Sequence, residues 1–169
     1  MNNDFTPEPS LQQVAEGLAQ ACVDFVSKHF PVKLDYSDAS VEIIEMLLDK
    51  FHRDMASSAP SPEQIGQYGD MFGSYIGECL RRNHGAIWGS TPNGSQKAVS
   101  MSMSPDGSSG CFFPWARAYK RITVGDTEGV YAYYQWILEK SKEGATPPPL
   151  PKPPPLPEKK SLFGRFFGK

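Results

Sequence analysis

Residues Pro147 to Glu158 read PPPLPKPPPLPE, a six-residue unit used twice, with eight prolines in twelve positions. Proline fixes φ and removes the amide donor, so neither a helix nor a sheet ladder can run through this stretch. Its expected form is extended polyproline II, which at ~3.1 Å per residue reaches roughly 35–40 Å. Any packed core must therefore come from what precedes it, and a chain of 169 residues has room for one ordinary domain and a tail. The expected division is a flexible N-terminus (1–9), a globular α+β domain (10–143), a proline-rich linker (144–158) and a basic amphipathic C-terminal tip (159–169).

Charge divides along the same line. The chain carries 17 Lys and Arg against 19 Asp and Glu, a net −2. From Ala145 onward there are five cations (Lys152, Lys159, Lys160, Arg165, Lys169) and one anion (Glu158), a net +4 that leaves −6 on residues 1–144. An acidic body lacks the clustered Lys and Arg that neutralise phosphates, so no nucleic-acid partner is expected for the domain. Cys22, Cys79 and Cys111 are three thiols without C-x-x-C spacing, which fits neither a disulfide framework nor a zinc site and points to a reducing, cytoplasmic setting. Met1 to Ser10 is polar, with none of the basic and apolar regions of a secretory signal. No apolar run approaches the length of a spanning helix.

Within the body, hydrophobic spacing predicts helices first. Ser10 caps a helix whose apolar face is Leu11, Val14, Ala15, Leu18, Ala19, Cys22, Phe25 and Val26, ending at His29-Phe30-Pro31. A second starts near Ser37 to Ser40, with Val41, Ile44, Leu47 or Leu48, and Phe51 on its inner face. A third runs from Pro62 to Asn83 and closes at Gly85, with Ile65, Phe72, Ile76 and Leu80 inward. Gly66, Gly69, Gly73 and Gly77 form a stripe on this helix. Each costs about 1 kcal/mol relative to alanine, so the stripe implies either close approach of another backbone or a ligand lying on it. Beyond Gly85, Thr91-Pro92-Asn93-Gly94 and Ser104-Pro105-Asp106-Gly107 are turn signals between short strands, an antiparallel sheet of two or three. Pro114 leads into a short helix from Trp115 to Thr123, and Gly125-Asp126 caps a last helix to Lys142 that carries Val130, Tyr133, Tyr134, Ile137 and Leu138.

Three segments together resemble a family of small bacterial domains of unknown function. They are Leu34-Asp35-Tyr36-Ser37 with Ser40 and Val41, the run from Gly73 to Trp88, and Pro114 with Lys120-Arg121-Ile122 and Tyr133-Tyr134. The resemblance covers roughly residues 10–140. It implies a domain, and brings no activity with it.

No catalytic or cofactor-binding pattern is present, and no enzyme is expected. Glu78, Arg81, Arg82 and His84 are the densest polar group. They read either as an exposed charged face with cations at a helix end, or as an anion-binding or acid–base cluster. Cys79 and His84, five residues apart on a helix, point about 140° away from each other. His29, His52 and His84 are too scattered for a metal site.

The tail carries the functional expectation. The prolines read as a spacer, with a ligand for a proline-recognition groove as the other possibility. After them come Lys159, Lys160, Leu162, Phe163, Arg165, Phe166, Phe167 and Lys169. On a helix the four large apolar residues share one side, with the cations at its borders and beyond. The tip is similar to the short membrane-targeting helix of the bacterial Min-system ATPase, in which a lysine pair also precedes an apolar, glycine-containing stretch. That similarity implies an anionic membrane surface as partner, peripheral association at the inner face of the membrane, and reversible binding that a homo-oligomer would strengthen. Two alternatives stand beside it. Ser161-Leu162-Phe163 resembles the end of the bacterial sliding-clamp-binding motif, with Lys159 where its glutamine belongs, so the tip would be a docking peptide for a protein. Or the acidic body is an immunity-like inhibitor of a basic partner.

Overall fold

A computed structural model describes residues 4–143; the linker and the tip lie outside the described residues. The fold is α+β. In chain order it comprises β1 (Thr6–Pro7), α1 (Pro9–His29), α2 (Ser40–Ser58), α3 (Pro62–His84), β2 (Ile87–Asn93), β3 (Gln96–Ser102), β4 (Cys111–Phe112), α4 (Pro114–Thr123) and α5 (Val130–Glu143). The antiparallel sheet has four strands in the order β1-β2-β3-β4, rather than two or three. The added edge strand comes from the segment expected to be flexible. Thr6 pairs with Ser90 and Pro7 with Gly89, and Phe5 is buried. Two strand residues beside one phenylalanine are too short a stretch to show a periodicity.

Helix α3 is the centre of the domain and packs mainly against α1 and α4. Its start is a capping box, with Ser61 and Gln64 each accepting from the other's backbone N–H. Its end is Gly85 at φ 76°, a left-handed cap that a Cβ would strain. From Phe72 to Leu80 all nine residues are buried, so this stretch is enclosed around its whole circumference, as a central helix must be.

Several local expectations change. Helix α1 starts one residue before Ser10, with Pro9 in its first turn and Glu8 at the cap. Its inward face is Ala15, Ala19, Cys22 and Val26, while Val14 is 51% exposed. Both Leu47 and Leu48 are buried in α2. The β2–β3 strands extend to Asn93 and Gln96, leaving a two-residue connection at Gly94-Ser95. Gly125-Asp126 does not open α5 directly: a 3-10 turn spans Asp126–Glu128, and α5 begins at Val130.

Candidate functional site

The polar residues singled out on α3 separate into two groups. Helix geometry turns Glu78 inward with no exposed side-chain surface. Its carboxylate accepts from Arg81 at 2.8 Å through both Nε and Nη2, from Arg82 Nε at 3.0 Å, and from the indole Nε1 of Trp88 at 3.0 Å. The expectation of an exposed charged face is corrected for Glu78, a buried anion held by two guanidinium groups and an indole, while Arg82 and His84 are exposed at the helix end as expected. Burial pushes its carboxyl up, but the hydrogen bonds from Arg81, Trp88 and Arg82 outweigh this and hold it below its ordinary value. Arg81 also reaches Glu16 on α1 at 3.2 Å, and the Arg82 guanidinium lies 3.7 Å from the centre of the Tyr36 ring.

His84 belongs elsewhere. Its Nε2 lies 2.9 and 3.0 Å from the two oxygens of Asp38. Asp38 Oδ1 also accepts from Tyr134 Oη at 2.6 Å and Asn83 Nδ2 at 2.9 Å. Desolvation raises the Asp38 carboxyl; the bonds from Tyr134, Asn83 and His84 bring it below the usual carboxylate range. This knot joins the approach to α2, the end of α3 and the middle of α5.

Between the two groups sits a third set of contacts. Tyr36 adopts φ 62°, a left-handed backbone that costs a bulky residue free energy. Three contacts hold it there. Its N–H donates to Tyr75 Oη at 2.8 Å, its carbonyl accepts from Asn83 at 2.9 Å, and its ring stacks on Tyr75 at 4.8 Å. Tyr75 Oη also lies 2.6 Å from Ser40 Oγ, which in turn lies 4.0 Å from Cys79 Sγ. Burial pushes the Cys79 thiol up to about 12, the opposite of what a nucleophilic cysteine needs.

The glycine stripe is read off the packing. A Cβ at Gly73 would stand 2.5 Å from Trp115 Cα, and one at Gly69 would stand 3.2 Å from Tyr119 Cα, so α4 lies directly against α3. At Gly77 it would meet the Trp88 ring at an impossible separation. The missing side chain there makes room for the indole whose N–H reaches Glu78. Gly66 faces open space.

Sequence reasoning did not single out Asp38 or Glu45, and it placed Tyr134 only on the apolar face of the last helix. Glu45 accepts from the backbone N–H of Val130 at 2.5 Å and of Tyr131 at 3.0 Å, capping α5 from another helix. It also binds Arg121 at 2.5 Å, and Arg121 reaches Asp49 at 2.8 Å. Arg121 is 3% exposed, so the Lys120-Arg121-Ile122 segment supplies a structural clamp. For the burial of Glu78 the sequence held one signal, Trp88, since a buried indole N–H calls for an acceptor. Among the described residues no group of three or more His, Cys, Asp or Glu is placed to hold a metal ion. No helix among them is long and apolar enough to cross a membrane. The expected tip residues, Lys159 to Lys169, lie outside the described residues.

No protein-family model matches the chain, and no curated protein matches it. A crystal structure of a protein from Bacteroides thetaiotaomicron VPI-5482 is similar, with a TM-score of 0.59 at 13% identity over 82% of this chain. The match spans 48% of that protein, about half its length. At that identity the likeness shows a shared fold and carries no activity across.

Proposed function

We propose that this protein is a non-enzymatic adaptor whose body serves as a rigid mount and whose C-terminal tip docks reversibly on an anionic membrane surface. The observation that carries it is the composition of residues 159–169: Leu162, Phe163, Phe166 and Phe167 interleaved with Lys159, Lys160, Arg165 and Lys169. Four large apolar side chains in eleven residues are an aggregation hazard in water unless a surface covers them. The cations beside them select an anionic surface.

The magnitudes describe a marginal anchor. Burying four large side chains offers roughly 1.5–3 kcal/mol each, and each cation near an anionic leaflet adds about 1 kcal/mol. Ordering about ten residues costs roughly 1–2 kcal/mol each. Gain and cost are of similar size, so one tip binds reversibly and several together bind by avidity. The body supports the mount reading: the carboxylates of Glu78, Asp38 and Glu45 are each committed to at least three hydrogen bonds within the fold.

The test is flotation of the full chain with vesicles. Binding to phosphatidylglycerol-containing vesicles, weakened by salt and lost in Phe166→Glu or Phe167→Glu, is expected. Indifference to lipid, with a protein partner captured through the tip instead, would replace the membrane by a docking partner.

A further inference from the structure

One carboxylate on α3 stands apart from Glu78 and Asp38. Asp70 is half-buried, yet among the described residues it has no hydrogen-bond or ion-pair partner for its side chain. Burial lifts its carboxyl above the ordinary value, and no neighbour brings it back. At Glu78 and Asp38 hydrogen bonds outweigh burial. A desolvated carboxylate without a partner destabilises the fold that holds it, so its presence calls for a reason.

A second unexplained cost lies one turn away. Gly66 is four residues before Asp70 on the same helix face, and helical side chains lean over the preceding turn. Asp70 therefore leans toward Gly66, where an added Cβ meets nothing within 4 Å. An interior glycine weakens a helix, and unlike Gly69, Gly73 and Gly77 this one brings no neighbour closer. Two aromatic residues of α4 border the same spot. Tyr119 lies against Gly69, its Cβ 3.0 Å from where a Gly69 Cβ would stand. Trp115 lies against Gly73, and its indole N–H reaches Ser74 Oγ at 2.8 Å. Gly73 and Ser74 are three and four residues after Asp70, so the indole crosses the turn next to the carboxylate. Both aromatic residues are half-buried.

We propose that Asp70, the bare backbone at Gly66 and the rings of Trp115 and Tyr119 form a recognition site for the guanidinium of an arginine presented by a basic partner protein. A guanidinium offers paired N–H donors that match a carboxylate, and a flat cationic face that stacks on aromatic rings. Its arrival supplies the counter-charge that Asp70 lacks, and the missing side chain at Gly66 leaves room for it to approach. The net −6 on residues 1–144 draws a basic protein toward this body. The site lies on the body, so the inference does not rest on what the tip binds.

The test is NMR of the isotopically labelled full chain titrated with N-acetyl-arginine amide, with the neutral N-acetyl-citrulline amide as control. The Trp115 indole N–H resonance, assigned by its absence in Trp115→Phe, is expected to shift saturably with the arginine probe and not with citrulline. Asp70→Asn and Gly66→Leu should each weaken binding about tenfold or more. Both variants should also raise the urea unfolding midpoint of the free protein, which separates lost binding from lost folding. The absence of a saturable shift in the wild-type chain overturns the inference. So does an equal response to citrulline, unchanged binding in Asp70→Asn, or a lowered midpoint in that variant, which would mean that the fold itself uses the carboxylate. Tighter binding of free arginine than of the blocked probe would overturn the protein source of the guanidinium.

Discussion

Replacing glycines of α3 by alanine one at a time should give effects of opposite sign along a single stripe. In a helix interior glycine costs about 1 kcal/mol relative to alanine. At Gly66, where an added Cβ meets nothing within 4 Å, Gly66→Ala should recover most of that and raise Tm by about 3 °C for a domain of this size. At Gly73 the same methyl would stand 2.5 Å from Trp115 Cα, 2.7 Å from Trp115 N and 2.8 Å from the Pro114 carbonyl carbon. These are backbone atoms, so no rotamer change relieves the contact. Helix α4 would have to retreat by about 1 Å, straining the 2.8 Å bond from Trp115 Nε1 to Ser74 Oγ. Overpacking of this kind costs roughly 1–3 kcal/mol, so Gly73→Ala should destabilise the domain despite its better helix propensity. Urea unfolding monitored by circular dichroism reads both. If the two variants shift the midpoint in the same direction, the stripe is not a packing surface for α4 and the reasoning fails.

Four further outcomes follow from the buried charges and thiols. Glu78→Gln leaves two guanidinium groups short of their counter-ion and should cost about 3 kcal/mol in urea unfolding, near the lower end for a broken buried pair because both arginines can reach water. The folded-state carboxyls of Glu78 and Asp38 lie below their ordinary values of 4.5 and 3.8. Their contribution to stability is therefore present above those values and lost as pH falls below them; a pH series of unfolding midpoints should fall less steeply in Glu78→Gln than in wild type. Glu45→Ala removes the acceptor shared by two N–H groups at the start of α5 and one partner of Arg121, and should cost about 2–4 kcal/mol, with hydrogen exchange at Val130 and Tyr131 accelerated first. A thiol reagent should label half-buried Cys111 in the native protein, and Cys22 and Cys79 only on unfolding, since both are fully buried; mass spectrometry of the labelled peptides reads the order.

Much of the helical frame was legible because its signals are local. Pro31, Pro62 and Gly85 mark boundaries by backbone chemistry alone, and Ile65, Phe72, Ile76 and Leu80 mark the inner face of α3 by period. The polar architecture was not legible, because it is assembled from distant positions. Asp38, His84 and Tyr134 meet only after three helices pack, and no spacing rule joins them. Glu78 misled because Glu, Arg and Arg at i, i+3 and i+4 resemble a solvated face. The contrary signal was present in its neighbours: Phe72, Gly73, Tyr75, Ile76, Gly77, Cys79 and Leu80 surround it on every side of the helix, leaving no wet face at that height. The Trp88 indole, ten residues on, needed an acceptor, and Glu78 supplies it.

The adaptor reading stands or falls with the last eleven residues. The most direct measurement compares the full chain with a version ending at Glu158, both fluorescently tagged at the N-terminus, for their partition between membrane and supernatant after cell fractionation. The account predicts a membrane-associated fraction for the full chain that disappears on removal of residues 159–169 and shrinks when the wash is raised in salt. Equal partition of the two chains would contradict it.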